Sequence, residues 1–322
     1  MRRTVIAVLL ILTAVPASAQ ELIFFGGSTS HAGFENHSYF WAIEYMQGLG
    51  PNAAVSFTWL NEGHLTDHHR DGHAAQVWLR TTRLGGRLAL AAGIGPYMYF
   101  DTTPVARGRS QDDHGFAAIF SVSATWYTES RWLAQLRSNW IEASSSIDTF
   151  SVVLGLGYQL DPPPSTGPLS HAPRRERKTT ENEITAFYGR AIVNDFHTNS
   201  EKTLAIEYRR GLGRYVDWTV GWLKEGDDAR IFREGPITQL WLVRSFFDER
   251  FALGAGAGIH VDFGGDDPCP GEEKKSTFAR IISVTAAFRL TPAWSARVVW
   301  HRMMTNYDRD TDIILGGIGY RF

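Results

Sequence analysis

Four histidines fall within the stretch Asn61-Glu-Gly-His-Leu-Thr-Asp-His-His-Arg-Asp-Gly-His73, together with Asp67 and Asp71. Imidazole nitrogens accompanied by carboxylates are a ligand set for zinc and related divalent ions, so His64, His68, His69 and His73 form a candidate metal site. The pairs His64/His68 and His69/His73 are spaced i,i+4, which would place them on one face only if the segment were helical. The competing reading is an exposed polar loop whose Arg70 and protonated histidines could meet phosphate groups. A weaker cluster is Asp195, His197 and Asn199. Cys269, the single cysteine, lies in an Asp-Pro-Cys-Pro-Gly loop and has no partner for an internal disulfide.

Composition narrows what could position such residues. The chain opens with Arg2-Arg3, an apolar run Val5–Val15, and Ala17-Ser18-Ala19 before Gln20. That order of charge, apolar core and small-x-small site reads as a secretory signal peptide over residues 1–19, too short to span a bilayer. No later run has the roughly 18 apolar residues of a transmembrane helix. A formal net charge of −2 supplies no basic field for nucleic acid. Abundant Trp, Tyr and Phe favour strands, and abundant Gly with few predicted helices speaks against a helical chain, so the expected fold class is all-β.

The chain contains itself twice. A shift of 163 residues lays Ala42-Ile-Glu-Tyr45 on Ala205-Ile-Glu-Tyr208. The same shift lays Gly48-Leu-Gly50 on Gly211-Leu-Gly213, Trp59-Leu60 on Trp222-Leu223, and Glu62-Gly63 on Glu225-Gly226. The register continues through Gln76/Gln239, Trp78-Leu79/Trp241-Leu242 and Gly93/Gly256 to Phe100/Phe263, and at a shift of 162 from Trp132/Trp294 to the end. Each half reads as eight segments of period-2 alternation. Short connections (48–52, 84–87, 128–131) alternate with longer polar ones (62–74, 101–114, 190–201). Short turns at one end and long loops at the other are the pattern of a transmembrane, antiparallel up-and-down β-barrel. A soluble β-sandwich is the rival.

The last strand, Ile314–Phe322, resembles the closing strand of bacterial outer-membrane barrels, which ends on an aromatic read by the β-barrel assembly machinery. Val152–Leu160 is a second copy of it, Gly155-Leu-Gly-Tyr158 matching Gly317-Ile-Gly-Tyr320. The expected organisation is therefore a repeat at 20–160, a Pro-rich periplasmic linker at 161–181, and a repeat at 182–322. Inward Trp78, Arg80 and Glu44 would fill an eight-stranded cylinder but obstruct a wide one, which favours two eight-stranded barrels over one of sixteen strands. The pairing of Val152–Leu160 with 21–30 or with 182–192 separates the two. Outer-membrane localisation after export follows, with outer-membrane lipid and lipopolysaccharide as partners.

Each half also resembles the lipid A 3-O-deacylase (PagL-type) family. The resemblance rests on a Trp-x-x-Glu-Gly end to strand three, Ala92-Gly-Ile-Gly95 in strand five, and Ser-Asn in strand seven. It implies an esterase whose His-x-Ser-Asn strand and a following acid form a triad on the lipid-facing wall. Carried over, the motif falls on Ser138, Asn139 and Asp148, with Leu136 where the family has its His. In the second half Val298 and Trp300 stand at the His and Ser positions and only Asp310 remains, while His301 has inward parity. A serine without its base is a poor nucleophile, so the expectation is a structural or lipopolysaccharide-associated barrel with a degenerate deacylase-like site. An active deacylase using Ser138 and a sixteen-stranded porin-like channel are the alternatives, and no cofactor is expected beyond a divalent metal on the His-rich stretch.

Overall fold

The structure, a computed structural model, describes residues 18–31, 36–105, 109–161, 165–168, 182–194, 200–228, 231–263, 277–307 and 309–322. Residues 1–17 of the expected signal peptide, most of the 161–181 linker, Cys269, and the Asp195, His197 and Asn199 cluster lie outside these.

Sixteen strands are described, in two compact units. The first unit holds β1 (Ser18–His31), β2 (His37–Gly48), β3 (Ala53–Leu65), β4 (His68–Arg83), β5 (Leu88–Val105), β6 (Arg109–Tyr127), β7 (Trp132–Ala143) and β8 (Thr149–Gln159). The second holds β9 (Asn182–Val193), β10 (Ser200–Gly211), β11 (Val216–Asp228), β12 (Ile231–Phe246), β13 (Phe251–Val261), β14 (Phe278–Arg289), β15 (Trp294–Met304) and β16 (Thr311–Arg321). Within each unit every strand pairs antiparallel with its neighbours in sequence.

The closing pairs decide the architecture. β8 pairs with β1, Val152 opposite Ser28 and Gly155 opposite Phe25. β16 pairs with β9, Gly317 opposite Phe187. Both edges of β8 are therefore occupied, and the chain forms two closed eight-stranded barrels. The sixteen-stranded channel is ruled out by this pairing, and so is the sandwich, because neither sheet has an open edge.

Alternation sorts the side chains. Along β4, Gln76, Trp78 and Arg80 point inward and are buried, while Val77 and Leu79 point outward and are exposed. The outward rows are apolar round both cylinders, with Leu90, Val122, Leu136 and Leu154 in the first and Leu204, Leu240, Val298 and Ile314 in the second. Aromatic pairs mark the turn end: Trp132 with Tyr158 in one barrel and Trp294 with Tyr320 in the other, each 5.2 Å apart edge to face.

The interiors are polar and tightly tied. In the first barrel Arg137 reaches across the lumen to Glu44 in a bidentate fork, with Nη1 to Oε2 at 2.7 Å. Thr58 donates to the same carboxylate at 2.8 Å, and Gln135 accepts from the guanidinium. The guanidinium lies 4.6 Å from the Trp78 ring and 4.4 Å from that of Phe25. Trp78 is fully buried and donates Nε1 to Ser56 Oγ at 2.9 Å. Gly93 lies against that indole: a Cβ there would sit 2.6 Å from the ring, so the Trp–Gly pair repeated as Trp241/Gly256 is a packing unit. In the second barrel Arg297 pairs with Glu207, its guanidinium 5.4 Å from the rings of both Trp241 and Phe187.

Removing one partner of a buried pair leaves an uncompensated charge, which costs ~3–5 kcal/mol. Arg137→Ala is therefore expected to lower the unfolding free energy of the protein in detergent, read from urea titration, by that order and to lower the urea midpoint with it, and Arg137→Ala/Glu44→Gln to recover part of the loss. An unchanged midpoint in the single variant would contradict the role given to the pair.

Candidate functional site

The His-rich stretch is a β-hairpin, not a loop. β3 runs on to Leu65 and β4 starts at His68, with a two-residue turn in which Asp67 adopts φ 62°. The expectation of a loop fails because alternation of apolar and polar residues marks only the part of a strand that has an apolar environment on one side. Beyond it the ladder continues with polar residues on both faces. β4, β5 and β6 are 16, 18 and 19 residues long, against the roughly 9–11 needed to cross a bilayer.

This hairpin divides the four histidines between two faces. His68 points inward, and its Nδ1 lies 2.8 Å from Asp101 Oδ2. His64 and His69 are opposed in the ladder and point outward, their rings 4.3 Å apart. His73 also points outward but is buried, stacked on Phe57 at 5.4 Å with Trp59 and Phe100 at its edges. The helical i,i+4 argument therefore does not apply. Among the described residues no group of three or more His, Cys, Asp or Glu side chains is placed to hold a metal.

Arg70 is not a surface cation. It is 1% exposed and points into the barrel, with Nε 2.6 Å from Glu62 Oε2 and Nη2 3.1 Å from Oε1. Its remaining donors reach Thr149 Oγ1 at 2.9 Å, Ser146 Oγ at 3.0 Å and the Ile147 carbonyl. Tyr97 donates to the same Glu62 carboxylate. Burial and complete pairing remove it from any contact with external phosphate. The arrangement recurs in the second barrel. Arg233 holds Glu225 at 2.8 Å through two nitrogens, Thr311 Oγ1 at 2.7 Å and the Arg309 carbonyl at 3.1 Å. A β-bulge at Glu-Gly aims these carboxylates inward: Gly63 has φ 67° and Gly226 φ 74°, and the strand register shifts there in both barrels. A side chain on Gly63 would also collide with Ser38 and Tyr39.

The sequence pointed to these residues without revealing their role. Glu62, Gly63 and Arg70 all have identical counterparts 163 residues later, although the intervening histidines do not. That selective identity was the available signal for an interior ion pair.

The three deacylase-motif residues do not come together. Ser138 faces outward on β7 between Val122 and Val152. Its neighbours along the same row, Leu136 and Trp140, are apolar and exposed. Asn139 is the next residue and faces inward, accepting from Ser121 at 2.8 Å and donating to Ser151 at 2.9 Å. Asp148 caps the β7–β8 connection by accepting the Ala143 amide at 2.9 Å. Asp310 does the same for the Thr305 amide at 2.8 Å, so this acid is a repeated turn device. The inward parity of His301 is as expected, and its Nδ1 lies 2.6 Å from Ser283 Oγ inside the closed barrel.

No family model matches the chain, and no curated protein matches it. Among solved structures, the chain is similar to the N-terminal β-barrel domain of Pseudomonas aeruginosa OprF, at 9% identity and a TM-score of 0.36, over 44% of this chain and 98% of that one. It is also similar to Ail, the attachment invasion locus protein of Yersinia pestis, at 10% identity and 0.34, over 45% and 99%. The translocator domain of the autotransporter NalP from Neisseria meningitidis gives 13% identity and 0.24 over 99% and 94%. These neighbours are outer-membrane barrels; the fold of this chain rests on its own strand pairing.

With His68 inward and the other three histidines outward, zinc titration of the wild type and of His68→Ala/His69→Ala is expected to give the same isotherm. A lower stoichiometry in the variant would restore the metal site.

Proposed function

We propose that this chain is an outer-membrane protein of two lipid-embedded barrels, structural or lipopolysaccharide-associated, with neither a conducting pore nor a working lipid A esterase. The observation that carries this reading is the inversion of the two surfaces. Exposed rows of Val, Leu, Ile and Phe lie outside, and a polar interior is closed by Glu–Arg forks inside. Such a cylinder is stable where lipid covers its wall and every backbone group is paired within a closed sheet. Trp and Tyr at the strand ends fit the two interfaces of a bilayer. The short turns then face the periplasm and the long hairpins the outside.

The interior supports a filled barrel over a channel. The gap bounded by Arg137, Asn139, Gln76 and Phe40 has room for about one water molecule. The wall supports a non-catalytic reading, since the row neighbours of Ser138 are Leu136 and Trp140, with no imidazole beside it, and its nearest neighbours across the sheet are valines. Loss of a base reduces serine catalysis by several orders of magnitude.

Two measurements test the proposal together. Reconstituted in planar bilayers, the protein is expected to give no discrete conductance steps. Lipid A from cells with and without the protein is expected to show the same acylation by mass spectrometry, and Ser138→Ala to change nothing. Loss of a 3-hydroxyacyl chain that disappears in Ser138→Ala would overturn the non-enzymatic reading, and regular conductance steps would overturn the filled lumen.

A further inference from the structure

The interiors of the two barrels follow one plan, but their outer rims differ. At the long-loop end of the second barrel, five adjacent strands carry charge on their outward faces: Lys202 on β10, Arg190 on β9, Asp312 on β16, Arg302 on β15 and Arg280 on β14. Arg302 and Asp312 neutralise one another at 2.9 Å. Arg190, Lys202 and Arg280 are exposed. Arg190 and Lys202 stand directly opposite in the β9–β10 ladder. Like charges facing each other across an antiparallel pair are destabilising, and among the described residues the pair is met only by Ser200 Oγ, 3.0 Å from Arg190 Nη1.

The first barrel supplies the comparison. The same five ladder positions hold Tyr39, Ser28, Phe150, Trp140 and Ala118. They include no cation, and Trp140 and Phe150 pack edge to face at 6.1 Å. The cations are thus not a requirement of the scaffold.

Immediately toward the turn end, the wall below the cation pair is apolar. Leu204 and Tyr188 are opposed in the ladder and both exposed. Beside Tyr188 lies Gly316, also outward, where a Cβ would meet nothing within 4 Å. The first barrel fills that position with Leu154, which is 68% exposed. The second barrel therefore has a slot in its wall, floored by Gly316 and flanked by Tyr188 and Val298, one strand across from Arg190 and one outward step below it.

We infer that this rim is a lipid-headgroup site: Arg190 and Lys202 bind the phosphate of an anionic lipid whose acyl chain lies in the Gly316 slot. The inference rests on the membrane-embedded reading above and names its partner chemistry. A bridging phosphate offers several acceptor oxygens to the guanidinium and the ammonium and cancels their repulsion. An acyl chain over Gly316 covers apolar wall that the first barrel covers with its own leucine.

The test uses the full chain in detergent micelles, with bis-phosphorylated lipid A and its dephosphorylated form as probes and binding read by native mass spectrometry. The phosphorylated lipid is expected to bind and the dephosphorylated lipid to bind far more weakly. Each cation near an anionic surface contributes about fivefold, so Arg190→Gln/Lys202→Gln is expected to weaken binding about 25-fold. Gly316→Leu, which introduces the first barrel's residue into open space, is also expected to weaken it. Millimolar inorganic phosphate is expected not to compete. Wild-type affinity in the folded Arg190→Gln/Lys202→Gln variant would overturn the site. Full competition by inorganic phosphate, or unchanged binding in Gly316→Leu, would overturn the lipid as its occupant. Failure of the membrane reading itself would show separately, as a chain that does not insert into vesicles.

Discussion

A guanidinium held against a carboxylate across a closed cylinder is the constraint on which the rest of this protein depends. An eight-stranded barrel has an interior just wide enough for side chains, so whatever faces inward must fit and must be satisfied. Charged groups are costly there unless paired in good geometry with their remaining donors occupied. Both barrels meet that demand at two corresponding levels. Glu44 with Arg137 and Glu207 with Arg297 tie the middle, and Glu62 with Arg70 and Glu225 with Arg233 tie the long-loop end. With the polar groups consumed inside, the outer face is left apolar, and a lipid environment follows from it.

The duplication shows which parts of this design are specified residue by residue. Glu62, Arg70 and Thr149 recur as Glu225, Arg233 and Thr311, each in the same bonds. The middle fork is conserved in another way. Arg137 aligns with Val299, and Arg297 aligns with Gln135, one inward step along the strand. The ion pair has survived while its arginine moved by two residues, because parity and not position decides whether a side chain reaches the lumen.

That difference explains what could be read from the sequence. The strand count, the duplication, the inward Trp78 and Glu44, and the choice of two barrels over one all follow from period-2 alternation and repeat identity. The fork partner of Glu44 lies on β7, 93 residues away, and no local pattern reports a contact across a lumen. The hairpin at 61–73 was misread for a related reason. Its histidines are dense and polar, which resembles a loop, whereas the ladder persists past the apolar band. Ser138 was legible as an outward residue, but the solvent of valines around it needed the register of β6 and β8. Outer-rim differences, such as Arg190 and Lys202 against Ser28 and Tyr39, become visible only after both barrels are laid on one ladder.

The claim that each half closes upon itself is tested most directly by a crosslink across the seam. In a Cys269→Ala background, Ser28→Cys with Val152→Cys places two thiols on facing residues of β1 and β8, at the separation of adjacent strands. Oxidation is expected to give an intramolecular disulfide that shifts the mobility of the folded monomer. No link at this seam, together with a link from Val152→Cys into β9, would contradict two separate barrels and return the chain to a single wall of sixteen strands.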